Sequence, residues 1–446
     1  PSTAFGGPPP PEGEDFSVKD FATSSNPRVQ AQLDRLAALS VPQGRLGLET
    51  VRVLLARLGD PHLSLPPVFH VAGTNGKGSV CAFLRAMLEA DGKHVHATTS
   101  PHLVRYNERI RVAGELIGDT RLAELLEEVL DAGADLAPSF FEVTIAASFL
   151  EFARVPADAC VVEVGLGGRF DATNVVEQPA ACGIAALGID HERFLLAPED
   201  GVPDEPIVRI AFEKAGIVKP GCSLVTLSYS EAATLEIERA ALVARAPLAM
   251  RGREWSVAAS ATGLAYADRH GELALPLPAL PGIHQHENAA LAVAMLRHQD
   301  FVSVSRDAMA EGIRSAQWPA RLQRFAPGPL TNNREIWLDG GHNRSAGEML
   351  GRHFAGERLH LVIGMIEGKD PRALLDPLAG SITSVTAVPV PGHEWHPASA
   401  FGDDANEAAD VPTALAHLPD DGLPVLIAGS LYLAGEVLRL NQELPT

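Results

Sequence analysis

At 446 residues the chain exceeds what one hydrophobic core ordinarily organises, so two domains are expected. Hydrophobic residues make up 46% and aromatics only 5%, beside 40 Gly and 34 Pro, which predicts an aliphatic core with many tight turns. A formal charge of −20 repels phosphate backbones and anionic lipid, and so disfavours nucleic-acid binding or a membrane-surface role.

Residues 1–22, rich in Pro, Gly, Ser and acids (Pro8-Pro9-Pro10-Pro11-Glu12-Gly13-Glu14), lack apolar periodicity and are expected to be a disordered tail. They carry no charged-then-apolar leader pattern, and no uncharged run in the chain is long enough to span a bilayer, which points to the cytoplasm. A helical pattern begins near Val29, and a second follows at Leu48, Val51, Leu54, Leu55 and Leu58. Residues 68–72 (Val-Phe-His-Val-Ala) read as a buried strand. A glycine-rich loop comes next, then a helical stripe of Val80, Phe83, Leu84, Met87 and Leu88. Further strands are expected at 161–164, 182–187 and 224–227, alternating with helices as in a mostly parallel sheet covered on both faces. Shorter apolar pieces from 255 to 278 suggest an antiparallel excursion. Helices at 287–297 and near 308–315 lead to Trp318-Pro319-Ala320-Arg321, after which strands at 336–338, 359–363, 385–388 and 425–428 restart the rhythm. The fold class expected is α/β, a P-loop-containing domain over 23–317 followed by a smaller Rossmann-like domain over 318–446. Cys81, Cys160, Cys182 and Cys222 have no CxxC spacing and sit in apolar runs, as buried free thiols do.

The loop Gly73-Thr74-Asn75-Gly76-Lys77-Gly78-Ser79 carries the first chemistry. Glycines let the backbone wrap closely and aim N–H groups at phosphate oxygens, a Lys meets the β/γ-phosphates, and a Ser hydroxyl suits Mg²⁺. The spacing departs from G-x-x-x-x-G-K-[ST], because residue 71 is Val and Gly78 separates Lys77 from Ser79. A strand before and an amphipathic helix after still make it a nest for ATP.

His70-Val71-Ala72-Gly73-Thr74-Asn75-Gly76-Lys77-Gly78-Ser79 resembles the signature loop of the folylpolyglutamate synthase/dihydrofolate synthase family, within the wider Mur ligase superfamily. Thr99-Ser100-Pro101-His102-Leu103 with Glu108-Arg109-Ile110 is similar to that family's mobile loop. Glu163-Val164-Gly165-Leu166-Gly167-Gly168-Arg169-Phe170-Asp171-Ala172-Thr173-Asn174 is similar to its second block. Asp190-His191, Glu213-Lys214-Ala215-Gly216-Ile217, His284-Gln285 with Asn288, and Asp339-Gly340-Gly341-His342-Asn343 follow in the family's order, so the resemblance runs from about residue 45 to 435.

The resemblance implies ATP-dependent joining of L-glutamate to a folate or dihydropteroate carboxylate through an acyl phosphate. It implies one Mg²⁺ between Ser100 and Glu163, and a second held by Glu163, His191 and a carbamoylated Lys214. Lys77 and the backbone of Thr74, Asn75, Gly76, Gly78 and Ser79 would hold phosphates, with Asn288, Arg321 and Asp339 completing the ATP site. His342 and Ser430 would line its glutamate or phosphate end. Lys77, Glu163, His191, Lys214 and His342 are the implied catalytic set. Arg109, with Arg105 and Arg111 nearby, and Ser139, Phe140, Phe141 and Glu142 are the implied substrate contacts, as is Leu46-Gly47-Leu48-Glu49. No nucleic acid or membrane partner is implied, and a monomer is expected.

Read from the residues alone, several of these positions stay open. Lys214 suits a buried neutral amine or a solvated Glu-Lys pair, His191 an ordinary turn, and Phe141 a stacking ring or the core. Ala320 stands where the family usually has Gly, Gly341 replaces a common Ala, and Arg45 a position often acidic in bifunctional members. Residues 196–205 form an apparent insertion, expected as a surface loop that leaves the metal ligands undisturbed. A Mur-type ligase of a UDP-linked substrate and a nucleotide-binding protein without catalysis are the alternatives. The choice between dihydropteroate and reduced folates is not written in the sequence.

Overall fold

The β-branched and aliphatic runs become strands of three sheets in the computed structural model, which describes residues 23–39, 47–332 and 334–445. The tail expected over 1–22 lies outside the described residues, as do Arg45 and Leu46. The largest sheet has eight strands: β1 Val68–Ala72, β2 Val95–Thr98, β3 Ile110–Val112, β4 Glu115–Leu116, β5 Ala159–Glu163, β6 Ala181–Ile184, β7 Ser223–Thr226 and β8 Leu248–Met250. Their order is β4-β3-β2-β5-β1-β6-β7-β8. All pairings are parallel except those of the β3–β4 edge.

Every residue of β1 is buried, as a central parallel strand covered on both faces requires. Its side chains alternate between two cores. Phe69 and Val71 join Val80, Phe83, Leu84 and Met87 of the helix Lys77–Ala90 and the apolar face of the helix His284–Arg297. Val68, with Cys160 and Val162 of β5, packs on the opposite face against helices Pro27–Ala37, Asp119–Ala132 and Phe140–Arg154. The expected antiparallel excursion is a small sheet of β9 Trp255–Ala259, β10 Leu264–Asp268 and β11 Gly271–Leu275.

The third sheet comprises β12 Gln323–Arg324, β13 Ile336–Leu338, β14 Leu359–Ile363, β15 Ile382–Ala387, β16 Asn406–Glu407 and β17 Val425–Ala428, in the order β12-β13-β17-β14-β15-β16. Only the β12–β13 pairing is antiparallel. The fold is therefore mixed α/β, a large mostly parallel sheet followed by a smaller one, as the alternation of strands and helices predicts. We propose that two domains meet between residues 317 and 318, a division supported by the separate sheets on either side. β15 starts three residues earlier than expected because Ile382-Thr383-Ser384 is half exposed and shows no apolar run. Cys81, Cys160 and Cys182 are buried free thiols, whereas Cys222 is only partly buried, just before β7.

β1 lies between β5 and β6, where the strand order reverses, and the carboxyl ends of these three strands open on one crevice. The glycine-loop helix is held there from behind by the helix Arg306–Ser315. A Cβ added to Gly312 would meet backbone atoms of Met87 at or below 2.5 Å, so the two helices pack without an intervening side chain. Gly312→Ala is expected to lower stability by about 1–3 kcal/mol even though Ala is the better helix former. Equilibrium urea denaturation checks it, and an unchanged midpoint would contradict the packing described.

Candidate functional site

β1 ends at Ala72 and the chain turns through Gly73 (φ 153°) and Gly76 (φ 84°) into the helix beginning at Lys77. The turn is tied to the extension of β6. The Thr74 and Asn75 amides donate to Ala186 O at 2.8 and 3.3 Å, and the Thr74 hydroxyl donates to Gly188 O at 2.7 Å. Glycine is required because neighbours occupy the space of a side chain: Ala185 beside Gly73, Asn288 beside Gly76 and the Trp318 ring on Gly78. Lys77 folds back, its Nζ 3.3 Å from Thr74 O. Ser79 is 2% exposed, and its hydroxyl accepts from Gln285 Nε2 at 3.2 Å; Asn288 donates in turn to Gln285. Gln285 thus joins the loop's scaffold, a role signalled only by its place in the His284-Gln285 motif.

Beside the loop, β5 delivers Glu163, 4% exposed, whose Oε2 accepts the Ser100 amide at 3.1 Å. Burial pushes its carboxyl up, against the opposing pull of Lys77, the Ser100 amide, Arg321 and Arg109. Lys214 is 3% exposed, and its amine makes no hydrogen bond or ion pair among the described residues. Burial above all, then the charge of Lys77, pushes its amine down to about 7. The solvated Glu-Lys pair is thereby excluded: Glu213 bonds Arg169 instead, at 2.7 and 3.1 Å. Lys77, Lys214, Asp190, His191, Leu195 and the turn at 165–167 surround one small cavity. Phe141 roofs Gly165 so closely that a Cβ there would strike its ring.

His191 adopts a left-handed conformation (φ 54°) at the start of the short helix Glu192–Leu195. The residue as a whole is exposed, yet the protein crowding its ring pushes the imidazole below its usual range, against the pull of Asp190. Asp190 links the two sheets' surroundings. Lys369 Nζ donates to its Oδ1 at 2.9 Å and Asn343 Nδ2 to its Oδ2 at 3.1 Å, while His342 Nε2 lies 3.7 Å away. Burial opposes ionisation of Asp190, but His342, His191 and Lys369 override it and hold the carboxyl far below the carboxylate range. Asn343 and Asn75 also exchange side-chain hydrogen bonds at 3.3 Å, joining the glycine loop to the second sheet. Sequence reasoning assigned no role to Asp190 or Lys369. The available signal was a Gly-Lys pair (Gly368-Lys369) shortly after β14, the same pattern that marks the first loop.

The remaining expected residues fall into two groups. Asp339, 1% exposed, accepts the Leu322 and Gly341 amides at 2.8 and 2.7 Å. Burial pushes its carboxyl up while Arg321 opposes that. Ala320 has φ 56°, which explains why glycine suits that position. Ser430 is 3% exposed and caps the helix Leu431–Asn441 through the Tyr432 amide. The basic cluster is dispersed: Arg105 is exposed and Arg111 turns to Gly114 O at 2.8 Å. Arg109 is 2% exposed, donates to His102 Nδ1 at 2.8 Å and lies over the Phe140 ring at 5.1 Å. Ser139 and Glu142 bond each other's backbone as a capping box for the helix Phe140–Arg154, at 3.3 and 2.7 Å.

A divalent cation is implied here, and the donor chemistry fits one. Among the described residues no three His, Cys, Asp or Glu side chains converge as a metal cage. Glu163 is a buried carboxylate with one amide as its hydrogen-bond partner, the kind of group a hard cation satisfies. A cation held by one or two protein oxygens and completed by phosphates and water is the usual habit of Mg²⁺.

Two α/β sheets beside a glycine-rich strand-to-helix loop, with a buried carboxylate at its edge, are the layout of an ATP-dependent ligase of Mur-ligase architecture. The comparisons agree. Residues 329–440 match the model of the dihydrofolate synthetase C-terminal domain. The chain is 34% identical over 412 residues to the dihydrofolate synthase/folylpolyglutamate synthase of Escherichia coli K12, covering 89% of this chain and 91% of that one. Among solved structures it is similar to E. coli FolC in complex with DHPP and ADP (TM-score 0.82, 31% identity, 92% of this chain and 97% of that one). It is also similar to a bifunctional folylpolyglutamate synthase/dihydrofolate synthase with Mn, AMPPNP and L-glutamate bound (TM-score 0.80, 28% identity, 92% and 97%). The chain belongs to the folylpolyglutamate synthase/dihydrofolate synthase family.

The Lys214 environment makes a pH prediction. Its amine titrates at about 7 when folded and at 10.5 ordinarily, so between these values the unfolded chain binds a proton that the folded chain does not. Stability should therefore rise with pH across that window, by roughly 1.4 kcal/mol per unit at most, and be lost as pH falls toward 7. Lys214→Met should flatten the slope and raise stability at pH 7. Thermal denaturation in CO₂-free buffers checks this; a slope unchanged by the substitution would contradict it.

Proposed function

We propose that the protein joins the amine of L-glutamate to the carboxylate of a folate or dihydropteroate using ATP. The observation that carries this reading is the continuous seam from Lys77 and Glu163 on the first sheet, through Asp190, to His342, Asn343 and Lys369 on the second. A carboxylate is a poor acyl donor, so the γ-phosphoryl group is first transferred to it. The acyl phosphate is then opened by the glutamate amine.

Lys77 and the loop amides bind and orient the phosphates, supported by the positive end of the helix Lys77–Ala90. Asn288, Arg321 and Asp339 complete the nucleotide site, and Arg109, Phe140 and Phe141 shape the pteridine end. Ser139 and Glu142 contribute there by fixing the start of the helix Phe140–Arg154, since the side chain of each accepts the backbone amide of the other. His342 and Ser430 face the glutamate end. One Mg²⁺ would rest on Ser100 and Glu163, and a second on Glu163, His191 and Lys214; bound there it neutralises phosphate charge and polarises the transferring group. Lys214 is proposed to be carbamoylated. A neutral amine adds to CO₂ with loss of a proton, and a buried amine titrating near 7 is neutral often enough to react. Contact between the two domains excludes water from the acyl phosphate.

A monomer is proposed, as is a cytosolic location, which suits four free cysteines. Among the described residues no helix is long and apolar enough to cross a membrane.

ADP should form only when ATP, Mg²⁺, glutamate and a folate or pteroate are all present; release at full rate without glutamate would overturn the reading. Lys77→Ala should lower turnover by about 10²–10³-fold with circular dichroism unchanged. Radiolabelled glutamate incorporation with dihydropteroate or tetrahydrofolate as acceptor separates the two activities.

A further inference from the structure

Residues 196–205 were expected to be a surface loop without bearing on the site, and Glu199 departs from that expectation. Its side chain is 15% exposed and points inward between two guanidinium groups. Arg169 donates to it at 3.0 and 2.5 Å, and Arg209 at 2.8 Å. Both arginines also hold Glu213, Arg169 at 2.7 Å and Arg209 at 3.1 Å. Among the described residues, two arginines and two glutamates thus alternate in one cluster, with Glu213 next to Lys214 in the chain.

Each arginine controls one wall of the cavity around Lys214. Arg169 belongs to the glycine-rich turn after β5; its amide donates to Glu213 O at 2.8 Å, and Gly216 packs on its Cα and Cβ without room for a side chain. The turn therefore rides on the end of the helix Pro206–Ala215 that carries Lys214. Arg209 Nε donates to Leu195 O at 3.1 Å, and Leu195 is the cavity wall that faces Gly167. Removing Glu199 leaves two like charges side by side with one carboxylate between them. Their repulsion would then act between the turn and the helix, and the loss of the carboxylate would leave the cluster one unit more positive.

We propose that Glu199 is a positioning residue for the divalent-cation site, acting through Arg169 and Arg209 to hold the turn at 165–171, Leu195 and the Lys214 helix in register. The inference rests on the reading that Glu163, His191 and Lys214 hold the cation. The insertion is then part of the site's framework, and it supplies a second carboxylate to the two arginines beside Glu213 of the Lys214 helix.

The test uses the full chain and Mn²⁺ as probe, with free Mn²⁺ followed by electron paramagnetic resonance in the presence of ADP. Four variants are compared with the starting protein: Glu199→Ala, Glu199→Gln, Lys214→Ala as benchmark, and Asp204→Asn as an exposed control in the same loop. Glu199→Ala is expected to weaken Mn²⁺ binding and lower kcat by about tenfold each, with KM for ATP within about twofold. Glu199→Gln, which keeps the shape without the charge, should fall between, and it carries the test if the Ala variant does not fold. Asp204→Asn should match the starting protein. Mn²⁺ affinity retained by both Glu199 variants but weakened by Lys214→Ala overturns the role of Glu199. Affinity retained by Lys214→Ala overturns the reading of the metal site itself.

Discussion

Where the chain turns from β1 into its helix there is no room for side chains, and the architecture of the site follows from that crowding. Gly73 is pressed against Ala185, Gly76 against Asn288 and Gly78 against Trp318, so three separate elements meet on seven residues of loop. Each close approach fixes part of the loop before any ligand arrives. Amides that would otherwise wander are aimed in advance, and anion binding then needs little reorganisation. Because Trp318 lies just before β12, the same crowding ties the start of the smaller sheet to the loop.

The electrostatics answer that rigidity. Glu163 and Lys214 are buried with their charges incompletely matched, one pushed up and the other down, and both lie beside the Lys77 loop. Asp190 is the opposite case, a carboxylate surrounded by Lys369, Asn343 and the two imidazoles. The first pair leaves chemical work for a cation and phosphates. The second needs nothing more and serves as a clasp. A site built this way draws on both sheets, the ends of β1, β5 and β6 on one side and the segments carrying Asn343 and Lys369 on the other.

The parts of the fold legible in the sequence are those where one physical demand dominates. β1 is five buried residues, and the glycine loop announces itself by composition. β15 was half legible, because Thr383 and Ser384 lie on a partly open face and look like loop residues. Ser139-Phe140-Phe141-Glu142 reads as a substrate segment by resemblance, but its S-x-x-E spacing is a helix-start signal that the structure uses as such. Glu199 was illegible for a different reason. Its neighbours Pro198, Asp200 and Gly201 mark a surface loop, and only the meeting of Arg169 and Arg209, forty residues apart, makes the interior need an acid there. The contact of Lys369 with Asp190 was hidden in the same way, since it joins residues 179 positions apart.

The contact of Trp318 with Gly78 has a spectroscopic consequence. An indole sits against the loop residue between Lys77 and Ser79, while Trp255 is sealed in the core, Trp337 meets His353 and Phe354 edge-on, and Trp395 is exposed away from the loop's glycines. Indole emission follows local polarity and the proximity of charged groups. The chain therefore contains an intrinsic fluorophore against its glycine-rich loop, placed to report in solution, without any label, the nucleotide binding proposed there.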